Sequence, residues 1–209
     1  PFLDLSLRVM THADRGLLGA ALDPDFKANR WVYFLYVVDP DSDGNSTNDA
    51  LSTFSRLERY QASLADSNVA DVSTRQILIG KTWPDGIASP GSDGTHTIGT
   101  LRFGRDKSLF VGSGDGAQSN YVPDAGGLDP AGCGAGKTSI TLDIGAFRAQ
   151  SLNTMNGKIL RVDKETGDGL PSNPFWDGNA TSARSRVWVY GLRNPFRFTV
   201  RPDTTFVSP

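Results

Sequence analysis

Three residues hold the same place in an imperfect repeat and offer different chemistry. Counting ten positions back from Asp25, Asp106 and Asp203 lands on Arg15, His96 and Arg193. An imidazole is the side chain best suited to take a proton near neutrality, because its unperturbed pKa is about 6.5. A guanidinium is a permanent cation, suited to an anion or a developing negative charge. Asp14, Thr95 and Asn194 flank the three and add acceptors and donors. Gly191-Leu-Arg-Asn-Pro195 joins a permissive glycine, a cation and an amide to a rigid proline, a loop that can hold polar groups at fixed angles. Each of these residues alone reads as well as a polar turn residue. Three at one repeat position favour a shared site. His12, the other histidine, falls outside the aligned positions and is read as ordinary.

The elements that must position them are hairpins. Leu18–Val37, Thr100–Gly114 and Phe196–Ser208 each show apolar alternation, a turn carrying one of the three aspartates, and a second apolar run. Downstream of the first two lie Arg56-Leu-Glu-Arg-Tyr60 and Lys158-Ile-Leu-Arg-Val162, with Arg59 matching Arg161. The short strands Arg75–Gly80 and Arg186–Gly191 follow, each ending in glycine. Four-stranded units repeated along a chain are the mark of β-propeller blades, whose corresponding loops converge around a central channel. The fold class is therefore all-β, a partial β-propeller over residues 1–209, with two blades and the start of a third. Since propellers need roughly four to eight blades, the segment is not expected to fold robustly alone. The glycine-rich stretch 118–148 reads as an insertion between the second and third strands of the second blade.

Composition agrees: 38% apolar and 21% charged residues support a packed core, and 23 glycines with 12 prolines favour many short strands and turns. A net charge of −2 with scattered basic residues gives no footprint for nucleic acid, and no apolar run is long enough to span a membrane. A neutral small molecule is the better partner. The single cysteine, Cys133, excludes internal disulfides within this sequence.

Two further motifs carry weaker chemistry. Asp39, Asp41 and Asp43 alternate before Gly44 as in a calcium loop, but Ala50 stands where a bidentate glutamate closes such a loop, and an ordinary acidic turn competes. Ala131–Thr138 fits a relaxed phosphate-loop pattern, but no apolar strand leads into it and Ser139–Gly145 has strand rather than helix character, so nucleotide binding is not expected. Asn45 and Asn179 open glycosylation sequons that matter only in a secretory eukaryote.

Taken in order, Arg15-Gly-Leu-Leu-Gly-Ala-Ala-Leu-Asp-Pro-Asp-Phe26, His96–Asp106, Gly112-Ser-Gly-Asp115, Asn156-Gly-Lys-Ile-Leu-Arg161 and Tyr190–Pro195 resemble the soluble quinoprotein glucose and aldose sugar dehydrogenases. This glucose/sorbosone dehydrogenase family consists of six-bladed propellers that use pyrroloquinoline quinone (PQQ) and calcium. The resemblance implies that His96 is the catalytic base and that Arg193 and Asn194 contact quinone and substrate. It places Asp14 near the sugar, Asp115 in the Gly-Asp loop beside the site, and Asn120 at a polar active-site position. Thr95 and Arg15 depart from the family pattern, and either departure would alter sugar preference or abolish activity. The resemblance further implies main calcium ligands beyond residue 209, an external electron acceptor, and a periplasmic or extracellular location. A non-catalytic propeller presenting its loops to a carbohydrate or protein is the alternative.

Overall fold

The computed structural model describes residues 1–45, 52–89, 94–117 and 140–201. Two antiparallel meanders account for most of them. The first sheet runs β1 (Leu17–Leu22), β2 (Trp31–Val37), β3 (Thr53–Ala62) and β4 (Ala70–Ile79), with a short β5 (Ile87–Ser89) paired to the start of β3. The second runs β6 (Ile98–Phe103), β7 (Leu109–Ser113), β8 (Lys158–Val162) and β9 (Val187–Tyr190). Each is a four-stranded propeller blade, and the expected strands fall where the repeat places them.

The unbroken apolar run of β2 has a physical reason: both faces of that strand are covered. Tyr33, Leu35 and Val37 join Leu57 and Ile79 in a core shared with Ile98, Leu101, Val111 and Leu160 of the second blade. Val32, Phe34 and Tyr36 pack on the opposite face, beneath Leu5, Leu3 and Phe2 of the N-terminal segment. That segment is fastened by the Ala70 N–H to the Phe2 carbonyl and by a bridge between Val9 and Val38.

Strand registers confirm the repeat. Tyr33 stands between Ala21 and Arg59, and Phe110 stands between Arg102 and Arg161. Carried along the chain, this equivalence pairs Arg15 with His96 and Val38 with Asp115. It also pairs Arg56, opposite Tyr36, with Lys158, opposite Ser113. The turn carrying Asp25 is a single helical turn, α1 (Phe26–Asn29).

Two expectations need correction. Within Ser139–Gly145, read as strand-like, Ile140–Leu142 is a 3-10 turn, and a second one spans Gly145–Ala149. No edge was open to a further strand there, because β7 is already flanked by β6 and β8. Residues 196–200, the expected first strand of a third hairpin, run without strand pairing; residues 202–209, which include Asp203, lie outside the described set. The Phe196 carbonyl nonetheless lies against β6: it accepts from Thr100 Oγ1 at 3.2 Å, and a Cβ on Gly99 would run into it. Most of the expected insertion, residues 118–139, with Cys133 and the phosphate-loop pattern, is also outside the described residues.

Candidate functional site

His96 occupies the left-handed region at φ 50, a conformation that costs energy for a residue with a Cβ. Four bonds impose it. Its N–H donates to Asp14 Oδ2 at 3.0 Å and its carbonyl accepts from the Gly116 N–H at 3.0 Å. The following residue, Thr97, accepts from the Gly114 N–H at 2.5 Å and donates its hydroxyl to the Asp14 carbonyl at 2.8 Å. Gly114 must be glycine, since any Cβ there would collide with the His96 carbonyl.

The imidazole is thereby delivered to Asp115. His96 Nδ1 lies 3.1 Å from Asp115 Oδ1, and Arg193 Nη1 donates to Oδ2 at 3.2 Å. The Asp115 side chain is only 2% exposed, that of His96 14%, and that of Arg193 49%. A buried carboxylate remains tolerable when its oxygens are hydrogen-bonded and its charge is compensated, and here the Ala117 N–H adds a third donor at 2.9 Å. An ionised carboxylate only accepts, so the bond to Asp115 selects a ring with its proton on Nδ1, and in the neutral form of that tautomer the lone pair is on Nε2. The main chain ties the group again: the Asp115 N–H donates to the Arg193 carbonyl at 2.8 Å. Beside it is a recess of about 250 Å³ lined by Asp115, Phe147, Ala149, Gln150, Gly191 and Arg193. A larger cleft of about 530 Å³, lined by Gln76, Lys81, Glu165 and Asp168, holds no buried ionisable group.

The structure thus brings together His96, Arg193, Asp14 and Asp115. Asn194 is exposed next to Arg193, with its carbonyl accepting from the Phe196 N–H at 2.7 Å. The Thr95 hydroxyl donates to the Ala117 carbonyl at 3.0 Å. Asn120 lies outside the described residues. Arg15 does not converge with its two repeat mates: it is 4% exposed, with Nε on Ser89 Oγ at 3.2 Å and Nη1 on the Met10 sulfur at 2.8 Å. Equivalent backbone positions did not guarantee equivalent side-chain directions. Asp115 faces His96 and Arg193 from a buried position, so it orients them.

Two buried cations beneath the site were not singled out by the sequence, although Lys158 lies within the Asn156–Arg161 motif. Arg148, fully buried, donates from Nε to the Asp115 carbonyl at 2.8 Å and from Nη2 to the Gly116 carbonyl at 2.9 Å. Lys158, also fully buried, donates to the carbonyls of Arg148, Ala149 and Asn156 at 2.9, 2.9 and 2.6 Å. Burial pushes the Lys158 pKa down to about 8. The one signal available was Lys158 itself, a charge in a short apolar strand.

Asp39, Asp41 and Asp43 can each offer an oxygen within 4.8 Å of the others. They also bond their own loop: Asp39 Oδ2 accepts from the Gly44 N–H at 3.0 Å and Asp43 Oδ1 from the Asn45 N–H at 2.6 Å. The position of Ala50 lies outside the described residues.

A His–Asp pair at the entry of an inner propeller strand, with an arginine on the same carboxylate, defines a β-propeller with a polar site suited to proton transfer. The Glucose / Sorbosone dehydrogenase family matches residues 4–207, and the chain belongs to it. Hedgehog-interacting protein of Mus musculus is 26% identical over 100% of this chain and 26% of its own length. The aldose sugar dehydrogenase of Escherichia coli is 24% identical over 93% of this chain and 40% of its own. Among solved structures, a putative oxidoreductase (glucose dehydrogenase) of Thermus thermophilus superposes with a TM-score of 0.64 at 25% identity, covering 97% of this chain and 46% of the other. A PQQ-bound aldose sugar dehydrogenase of Streptomyces coelicolor gives a TM-score of 0.53 at 21% identity, covering 89% of this chain and 39% of the other. The chain therefore spans less than half the length of these relatives.

Proposed function

We propose that this chain contributes the catalytic base and a cofactor-binding arginine to an aldose sugar dehydrogenase, which oxidises the anomeric carbon of a sugar or related alcohol to a lactone. The observation that carries the reading is the His96–Asp115–Arg193 constellation, in which a buried carboxylate fixes the base and grips a half-exposed guanidinium.

His96 Nε2 takes the proton of the anomeric hydroxyl, while the Nδ1–H bond to Asp115 holds the ring at the required angle and stabilises the imidazolium. Asp14, whose Oδ2 accepts from the His96 N–H, offers its carboxylate to a sugar hydroxyl. Arg193 uses one Nη on Asp115, and a guanidinium has five N–H donors in all. With the exposed amide of Asn194, its remaining donors fit an acidic planar quinone, and these two residues would hold it. PQQ, when bound, supplies the two-electron acceptor for the hydride leaving the anomeric carbon. Calcium would be held by residues outside this chain, and electrons would pass on to an external acceptor in an exported compartment.

A second reading is favoured by one comparison. The likeness to Hedgehog-interacting protein over the whole chain supports a propeller whose loops bind a protein or carbohydrate without chemistry. A titration of the full-length protein with PQQ and calcium, followed by a panel of aldoses, separates the two. Sugar-dependent bleaching of the quinone spectrum that His96→Asn abolishes is expected. A folded protein that binds no quinone would establish the binding module instead.

A further inference from the structure

We infer that Arg148 and Lys158 form a buried two-cation latch that positions the base: they hold the loop of Asp115, and through Asp115 the His96 ring and Arg193, in register. The inference deepens the dehydrogenase reading and rests on it for its effect on turnover, though not for its geometry.

The bonds of Arg148 to Asp115 and Gly116, and those of Lys158 to its three carbonyls, run between buried groups. The guanidinium of Arg148 spans two consecutive carbonyls, Asp115 and Gly116, and so fixes the peptide from which the Asp115 side chain projects. A third donor, Nη1, reaches the Leu142 carbonyl at 3.3 Å, closing the 3-10 turns around the head group. Arg148 is itself fixed from behind, because Lys158 Nζ binds its carbonyl and that of Ala149. The Ala149 carbonyl also accepts the Gly191 N–H at 2.9 Å, which connects the same node to the loop bearing Arg193. The third Lys158 contact, to the Asn156 carbonyl, fastens the segment whose Gly157 N–H donates to the Gly114 carbonyl at 2.8 Å, directly before Asp115. Both strands of the Asp115 loop and the Arg193 loop thus converge on two cations.

The chemistry of these partners argues for positioning rather than charge balance. No carboxylate of the described residues lies within ion-pair distance of Lys158. Burying an ammonium without a counter-ion is expensive, and here its three donors are met by three main-chain oxygens. Blade 1, which carries no base, has Arg56 at the equivalent place, partly exposed and donating from Nε to the Gly80 carbonyl at 2.8 Å.

The test uses the full-length protein with Arg148→Met, Arg148→Lys and Lys158→Met. The first readout needs no cofactor: the low-field Nδ1–H proton resonance of His96, assigned by its loss in His96→Asn. The latch predicts that this resonance broadens or disappears in Arg148→Met and Lys158→Met. In Arg148→Lys, which keeps a cation but cannot span both carbonyls, it should weaken. The second readout is turnover. Because displacement of a reacting group by about 1 Å can cost about 10²-fold, kcat should fall on that scale, and quinone binding should weaken with it because Arg193 rests on the same carboxylate. If the methionine variants do not fold, Arg148→Lys decides. An unchanged resonance in folded variants overturns the latch. A changed resonance in a protein that oxidises no sugar retains the latch and removes the dehydrogenase reading.

Discussion

The two blades share one plan and put different residues at three equivalent places. Blade 1 has Arg15, Val38 and Arg56 where blade 2 has His96, Asp115 and Lys158. In blade 1 the set is structural: Arg15 is buried against Ser89 and Met10, Val38 packs beneath the N-terminal segment, and Arg56 lies toward the surface. In blade 2 the same backbone positions yield an imidazole, its carboxylate and the cation behind them. The scaffold therefore fixes where a loop ends, and on the proposed reading three side chains decide whether that end can move a proton.

The largest effect should come from breaking that difference at Asp115. Asp115→Asn replaces the carboxylate by an amide whose NH2 can donate to Nδ1 and reverse the His96 tautomer, and is expected to forfeit much of the ~10²–10⁴-fold that a general base contributes. Steady-state kcat with the loaded full-length protein measures it. Val38→Ala, at the equivalent place, should cost roughly 1.5–3 kcal/mol of stability and leave kcat unchanged. A turnover defect in Val38→Ala would mean that blade 1 contributes to the chemistry after all.

The cation pair gives the next test, with its sign set by linkage. Burial holds the Lys158 pKa at about 8, below an unfolded value of about 10.4. The folded state therefore binds fewer protons between those limits, and stability rises with pH across that window. A melting series from pH 7 to 10 should show wild type gaining on Lys158→Met as pH rises, by up to ~3 kcal/mol. Arg56→Met should show no such slope, because arginine does not titrate there. A flat difference for Lys158→Met would mean that the lysine is not buried in solution.

How much of this was legible follows from what each signal encodes. The hairpins and the Arg59/Arg161 equivalence were readable because strand alternation and turn aspartates recur in register. The family resemblance placed Asp115 in the Gly-Asp loop beside the site, but its pairing with His96 needed the distance between Nδ1 and Oδ1. Arg15 misled, since a repeat aligns backbones and the side chain turned inward to Ser89 and Met10. Arg148 and Lys158 stayed invisible because their partners are carbonyls, and every residue has one. The strand expected within 139–145 failed because β7, the strand that precedes it, is already flanked by β6 and β8.

Arg59 and Arg161 extend the comparison to the faces between blades. Both stack on a tryptophan, Trp31 at 4.1 Å and Trp188 at 5.1 Å. Arg59 then crosses to the second blade, donating to the Lys164 carbonyl at 3.2 Å, and is 6% exposed. The Arg161 side chain is 12% exposed, and among the described residues nothing covers the face beside it, where Trp188 is 40% and Tyr190 44% exposed. Arg59→Ala should therefore cost about 1.5–3 kcal/mol, as for a buried hydrogen bond to a charged group. An equal cost for Arg161→Ala in the full-length protein, measured by denaturant unfolding, would show that a further blade covers this face.

The smallest effect belongs to the turn aspartate bonded to Arg161. Burial alone would raise the Asp106 pKa, but the hydrogen bonds from Arg161 and Ser108 outweigh it and hold the carboxyl at about 2. A depressed carboxyl pKa stabilises the fold above the unfolded value of about 3.9 and loses that contribution as pH falls through about 2. Because Asp106 is 49% exposed, solvent screening limits the pair to less than about 1 kcal/mol. Asp106→Asn should lower the melting temperature slightly at pH 6 and leave it unchanged near pH 2. A loss as large as that of Arg59→Ala would mean that Asp106, like Asp25 with Lys164 and Lys107, is drawn into a contact between blades that these residues alone do not complete.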